Sequence, residues 1–429
     1  MSKARFYWVL RTLGWCLLLG LGVALMLQQT VTAGQRATDF CQDYLAARNV
    51  LQGMPPYSPL LSSPTAPLCL PPLNYDSHPP FSVLLVLPLG LLSRAAAALF
   101  WSLLVLACYL TTGALLLKAL GWWTLRGAAL FVVGNLFWNP FGGSLDAQNY
   151  AELVLLLVLG AWLLERKGHA GWAGVALGVA ALLKIWPLAL LCIVLARRRY
   201  KLALVGGGVV ALGTLVTLVA FGPQTYATYL GPVLRQEAAD IPHEVNVSLV
   251  AAIARPWTGF NDPSVIAFPP LLSGLSASQA TLLGEGVAAL VVLGTLALVA
   301  WGLRRRQDEA MEWVCLGIVV TVLLLGFPIT WNWGMMSLLL PLGTTALALR
   351  SLPRPPLWWF ILLGVSLVFL VNPEWLPFFI AHQQPLAGSV VFALPTLALL
   401  LFALAQAQLL IRAAAPLPVH PEEKVLASV

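Results

Sequence analysis

Apolar residues fill long runs along nearly the whole chain, and short polar or basic breaks separate them. A run of about 17 residues or more can cross a hydrocarbon core of about 30 Å as a helix. The runs predict spans at about 6–27, 95–117, 126–142, 149–164, 171–183, 185–196, 202–221, 281–303, 312–327, 334–349, 357–371 and 386–410. Stretches such as Val205 to Ala220 lack the alternation of a lipid-facing strand, which argues against a membrane barrel. The expected fold is all-α: a polytopic transmembrane helical bundle of about twelve spans, forming one integral-membrane domain over 1–411. The prolines and glutamates of 412–429 predict a disordered cytoplasmic tail.

The breaks are as informative as the runs. Phe81 to Leu92 is apolar but too short to span and contains Pro88, so it predicts a re-entrant or interfacial helix on the outer side. Ala170 to Ala196 predicts a tight pair of short spans turning outside at Lys184, Ile185, Trp186 and Pro187. Two long outer segments remain, 28–80 and 222–280, and they place the working face outside. Lys3, Arg5 and the following apolar run also fit a signal peptide cleaved near Ala33, an alternative that leaves the other spans unchanged.

Composition agrees with a membrane protein: 59% of residues are hydrophobic, 10% are charged and the mean hydropathy is +0.85. The net charge of +7 is carried by short basic clusters between spans, so it reports orientation and implies no nucleic-acid partner. With both termini cytoplasmic, most Lys and Arg fall inside, and only Arg36, Arg48, Arg94, Lys184, Arg235 and Arg255 lie outside. The short basic loops suggest a bacterial plasma membrane.

Candidate chemistry gathers on the outer side. Asp39 and Asp43 are four residues apart and share one face of a helix expected to run to about Gln52. Asp39 can act as a general base, or it can be a helix cap completed by Gln42. His78 precedes the short apolar helix and suits a phosphate or sugar, or is an ordinary loop residue. Glu152 lies one turn into a span. Lys184 breaks an apolar hairpin and either snorkels to headgroups or holds an anionic phosphate. Cys41 and Cys69 both lie in the first outer segment and are candidates for a disulfide. No metal-binding motif, and hence no metal, is read from the sequence, and neither is a nucleotide-binding loop. Two classes follow: a lipid-linked group transferase, or a secondary transporter or flippase of lipid-linked sugars. The latter should carry an internal repeat, and none is seen between the halves.

Several motifs then resemble a known family. Asp39, Phe40 and Tyr44, followed by Ala47, Leu51, Gly53, Pro56 and Tyr57, are similar to the first outer loop of glycosyltransferase family 87, polyprenyl-phosphate-mannose-dependent enzymes of the GT-C membrane fold. His78, Pro79 and Pro80, with Pro88 and Leu89, resemble its (Y/H)PP and PL stretch, and Gln148 and Asn149 its GQxN motif, with Ala147 where glycine is usual. Lys184 and Pro187 match KxxP, Asn246, Ser248, Leu249 and Arg255 resemble NxSL with its arginine, and Pro328 to Trp331 resemble PxSW. Asn332 and Trp333 depart from the acidic residue and histidines that commonly follow. The resemblance implies inverting transfer of a sugar, mannose in the family, from a polyprenyl-phosphate donor to a glycan or glycolipid acceptor on the outer face, within membrane lipids and without a cofactor. Asp39 would be the base and Asp43 its support. His78, Lys184, Arg255, Gln148 and Asn149 would hold donor phosphate or sugar, with Trp331 and Asn332 on the acceptor side.

Overall fold

A computed structural model describes residues 2–36, 38–58, 76–262, 266–352, 354–371 and 375–415. Helix α1 (Lys3–Arg36) is followed by α2 (Thr38–Leu51), α3 (Pro80–Val86), α4 (Arg94–Ala119), α5 (Leu125–Leu136), α6 (Asn139–Ala147) and α7 (Ala151–Arg166). Next come α8 (Ala170–Leu183), α9 (Pro187–Ala196), α10 (Tyr200–Phe221), α11 (Pro223–Thr228), α12 (Leu234–Ala239) and α13 (Leu249–Thr258). A two-stranded antiparallel hairpin, β1 (Phe260–Asp262) and β2 (Ile266–Phe268), was not expected from the sequence. It pairs Phe260 with Phe268 and closes on Gly259, whose φ of +60° and whose close approach to the Phe268 carbonyl both favour glycine. The chain ends with α14 (Ala277–Arg305), α15 (Glu309–Gly326), α16 (Leu339–Ser351), α17 (Leu357–Val371), α18 (Trp375–Gln383), α19 (Gly388–Val391) and α20 (Leu394–Ala414).

The protein is helical and polytopic, but the lengths differ from the expectation. Among the described residues, six helices are long and apolar enough to cross a membrane, or up to eight if two bent pairs each make one span. α5, α8 and α9 have 12, 14 and 10 residues, so none spans a full hydrocarbon core alone. The predicted run 126–142 passes the break at Phe137 and Trp138 that ends α5, whereas the break between α8 and α9 falls at Lys184, where the sequence places it.

Helix α15 is the centre of the bundle, buried from Trp313 through Leu325. An all-round apolar helix is stable only when other helices surround it, and α14, α16 and α20 do so here. Its start is fixed by Asp308, whose carboxylate accepts from the Met311 amide at 2.9 Å. α8 and α10 approach closely because Gly174, Gly178 and Gly206 stand at the contact. A Cβ on Gly178 would meet the Gly206 carbonyl oxygen at 2.6 Å. That approach holds the α8–α9 hairpin, with Lys184 at its tip.

The segment from Phe81 to Leu92 forms a short apolar hook. α3 tightens at Leu87–Leu91 into a 3₁₀ turn containing Pro88, then stops before Ser93, which caps α4. The hook lies against α2: Tyr44 donates its hydroxyl to the Leu92 carbonyl at 2.9 Å, and Arg48 donates to the Gly90 carbonyl at 3.2 Å. α1 packs on α4, α5 and α6, with Met26, Thr30 and Ala33 buried near its end, and leads into α2.

Candidate active site

The first polar centre forms where α2, the start of α3, the α6–α7 junction and the α8–α9 tip meet. On α2, Asp39 and Asp43 share a face as the spacing requires, with Asp43 only 1% exposed. The capping-box reading of Gln42 does not apply. Its side-chain oxygen instead accepts from the Ser77 amide and hydroxyl, both at 3.1 Å, which fastens the segment before α3 onto α2.

That fastening brings His78 to Asp43. The His78 Nδ1 lies 3.0 Å from Asp43 Oδ2 and 3.5 Å from Asp76 Oδ1, and Asp76 also accepts the His78 amide at 3.0 Å. Tyr57 donates to the His78 carbonyl at 2.5 Å, and the Tyr150 ring packs edge-on against the imidazole at 4.9 Å. Burial alone would lower the His78 pKa, but the carboxylates of Asp43 and Asp76 outweigh it and raise it to about 10. Asp76 is pushed up to about 6 by burial and by the Asp43 charge. Asp76 stands in a loop, and nothing local marks it as a carboxylate that shares His78 with Asp43, 33 positions earlier. Asp43, Asp76 and His78 each offer a ligand atom within 4.8 Å of the others. Such a set can hold a divalent cation.

Asp39 sits beside this triad, half-buried in the first turn of α2. Burial raises its pKa, opposed by His78, Lys184 and a hydrogen bond from Asn149. That bond, Asn149 Nδ2 to Asp39 Oδ2 at 3.5 Å, comes from the junction at which α6 and α7 meet at 112°. Asn149 also accepts the Ala151 amide at 2.7 Å and so starts α7. Gln148, fully buried, takes φ of 57° in the left-handed region that non-glycine residues rarely adopt. Its carbonyl accepts from Trp101 Nε1 at 2.8 Å and its side-chain amide donates to Ser102. Trp101 in turn stacks on Phe40 at 5.4 Å and meets Tyr150 at 5.1 Å, so one aromatic layer supports both sides of the site. The strained turn is thus over-determined by its neighbours, a pattern that marks working sites.

Lys184 ends α8 in extended backbone, and its ammonium is electrostatically coupled to Asp39 and Glu152. Glu152 is fully buried and accepts from Ser144. Glu237 on α12 also belongs to this neighbourhood: burial and Asp240 raise it to about 7, with His78 opposing. Its segment carries no motif by which a sequence reading could select it.

Arg255 does not join this centre. It is fully buried and donates to four backbone carbonyls: Pro242 at 3.2 Å, Phe392 at 2.8 Å, His243 at 2.9 Å, and Asn246. Arg255 thus braces α13 to the 242–246 turn segment and to the turn after α19. Asn246 completes the brace, accepting from the Thr330 and Ser248 amides and donating to the Ile241 and Pro328 carbonyls at 3.0 Å each. Trp331 stacks on Trp333 at 5.3 Å and meets His243 edge-on at the same distance. Asn332 is buried, accepting the Trp333 amide at 2.7 Å while its own Nδ2 has no partner among the described residues. Cys41 is buried and disulfide-bonded, and Cys69 lies outside the described residues.

The model of glycosyltransferase family 87 matches residues 77–328, more than half of the chain. The match takes in His78, the Gln148 turn, Lys184 and the Asn246 brace, while Asp39, Asp43 and Trp331 lie outside its limits. No curated protein and no solved structure matches the chain. With that match and these apolar helices, the chain belongs to glycosyltransferase family 87 and is an integral-membrane glycosyltransferase.

Proposed function

We propose that the protein transfers a sugar, mannose as the first candidate, from a polyprenyl-phosphate donor to a glycan or glycolipid hydroxyl on the outer face of a bacterial plasma membrane, with inversion. The observation that carries this reading is the grouping of one half-buried carboxylate, Asp39, with Lys184 and the charged His78. In the proposed step, Asp39 takes the proton of the acceptor hydroxyl while that oxygen bonds to the anomeric carbon. The bond from that carbon to the phosphate oxygen breaks, and polyprenyl phosphate leaves with the electron pair. A base with a raised pKa is better matched to neutral pH than an ordinary carboxylate, and such catalysis is worth about 10²- to 10⁴-fold.

Lys184 is proposed to hold the phosphate as a point charge, and His78 to add positive potential where negative charge grows on the leaving group. Asp43 and Asp76 keep His78 protonated. Gln148 and Asn149 orient Asp39 and the donor from the α6–α7 junction. Trp331 and Trp333 form a stacked surface suited to the apolar face of an acceptor sugar. No metal or cofactor takes part in the proposal. Orientation follows the basic residues, with both termini cytoplasmic.

The test is incubation of membranes containing the protein with polyprenyl-phosphate mannose, polyprenyl-phosphate glucose and nucleotide sugars separately, followed by mass analysis of extracted products. The proposal requires a hexose added from a polyprenyl-phosphate donor alone, with the anomeric configuration opposite to the donor's. Transfer from a nucleotide sugar in the absence of any polyprenyl phosphate would overturn it.

A further inference from the structure

A cavity of about 580 Å³ opens at the end of the bundle opposite Asp39. The separation follows from chain direction: α7 begins beside Asn149 and runs about 24 Å to Arg166, and α9 returns from the Lys184 tip to the same end. Arg197, Arg198, Arg199 and Arg304 line the cavity mouth. Its inner wall is one face of α14, where Leu296, Val299, Ala300 and Leu303 recur at helical spacing.

The four arginines differ in how they are neutralised. Arg197 pairs with Glu312, and Arg199 lies 3.3 Å from Glu165 and 4.0 Å from Glu312. Arg198 and Arg304 have no acidic side chain within 4 Å among the described residues, so the mouth carries an uncompensated positive charge. Arg197 is the deeper group, 10% exposed, with its ring contact to Trp162 and its Nη1 left without a hydrogen-bond partner among the described residues. A buried guanidinium nitrogen without an acceptor costs free energy unless something supplies an oxygen. Arg198 stands at φ of 58°, an arrangement expected of glycine, and yet the position carries a long cation.

We infer that this cavity binds an anionic glycerophospholipid, its phosphate between Arg197, Arg198 and Arg304 and one acyl chain along the Leu296 to Leu303 face of α14. Charge complementarity selects the headgroup, and the apolar wall, continuous with a helix otherwise exposed along much of its length, selects a lipid over a soluble anion. A lipid here would bridge the α9–α10 turn to α14, elements that the ion pairs of this end do not join. The cavity is separate from the donor site, so this inference stands or falls without the proposed reaction.

The experiment uses the full chain purified in detergent and titrated with phosphatidylglycerol or phosphatidylcholine while bound lipid is counted by native mass spectrometry, with an inorganic phosphate competition arm. The variants are Arg198→Gly with Arg304→Gln, and Ala300→Trp at an exposed position of the cavity wall. Glycine suits the left-handed position of Arg198, so the first variant removes charge without straining the turn. The expected results are a phosphatidylglycerol preference over phosphatidylcholine, a loss of about tenfold or more in that affinity in the double variant, and a similar loss in Ala300→Trp. Millimolar inorganic phosphate should leave the lipid in place. Equal binding of the two lipids, unchanged binding in both variants, or displacement by inorganic phosphate would each overturn the assignment.

Discussion

The histidine of the first polar centre and the arginine of the second are both buried cations, but their charges are held in opposite ways. His78 faces two carboxylates, and beside them stand Asp39 and Lys184. Arg255 donates to backbone carbonyls, which cannot move without moving the chain, with the buried Glu244 as its electrostatic neighbour. The first arrangement leaves charge available for chemistry, and the second spends it on geometry. Both lie within residues 77–328, so a family match alone does not distinguish a catalytic position from a brace.

Breaking the brace should have the largest effect. Arg255→Met leaves four carbonyls without their donor and should cost about 3 to 5 kcal/mol of stability, seen as a sharp drop in folded yield and thermal midpoint in detergent. Protein that does fold should bind donor lipid with near-normal affinity, and selective loss of donor binding at unchanged stability would return Arg255 to the donor site. Lys184→Met should show the reverse: little change in midpoint, but donor affinity weaker by about 10- to 100-fold, as for a charge-assisted contact of about 1.5 to 3 kcal/mol. Lys184→Arg should recover part of it. Equal affinity in wild type and Lys184→Met would leave the lysine as a snorkelling side chain.

A smaller effect sharpens the comparison through pH. The His78 pKa rises from 6.5 to about 10 on folding, so its stabilisation is complete below about pH 6.5 and is lost as pH rises toward 10. Asp76, raised to about 6, acts over lower pH, where its ionisation on going from 3.8 toward 6 reduces stability. Between about pH 7 and pH 10 the thermal midpoint of the wild type should fall by a few degrees more than that of His78→Gln. Parallel curves would mean that His78 is not charged between its carboxylates. The smallest expected effect is none: a chelator should leave transfer unchanged, whereas loss restored by a divalent cation would make Asp43, Asp76 and His78 a metal site.

Much of this was legible in the sequence because it is local. The shared face of Asp39 and Asp43 follows from four-residue spacing, the short hook from Pro88 in a run too short to span, and the hairpin tip from a lysine inside apolar sequence. The span count was less legible, since a hydropathy window runs through breaks such as the one at Phe137 and Trp138 between α5 and α6. The roles of Asp76, Glu237 and Arg255 depend on which distant groups they meet. Arg255 shows the limit most clearly: its motif was visible, but only the carbonyls around it reveal that its charge is already used.

The central claim is that Asp39 is the base, and turnover of Asp39→Asn against Asp43→Asn tests it most directly, each with donor affinity measured on the same preparation. Asparagine keeps the shape and removes the proton acceptor, so Asp39→Asn should lose about 10²- to 10⁴-fold in transfer rate while still binding donor. Asp43→Asn, which only releases His78, should retain measurable turnover. Near-normal turnover in Asp39→Asn would contradict the account and move the base elsewhere in the cluster.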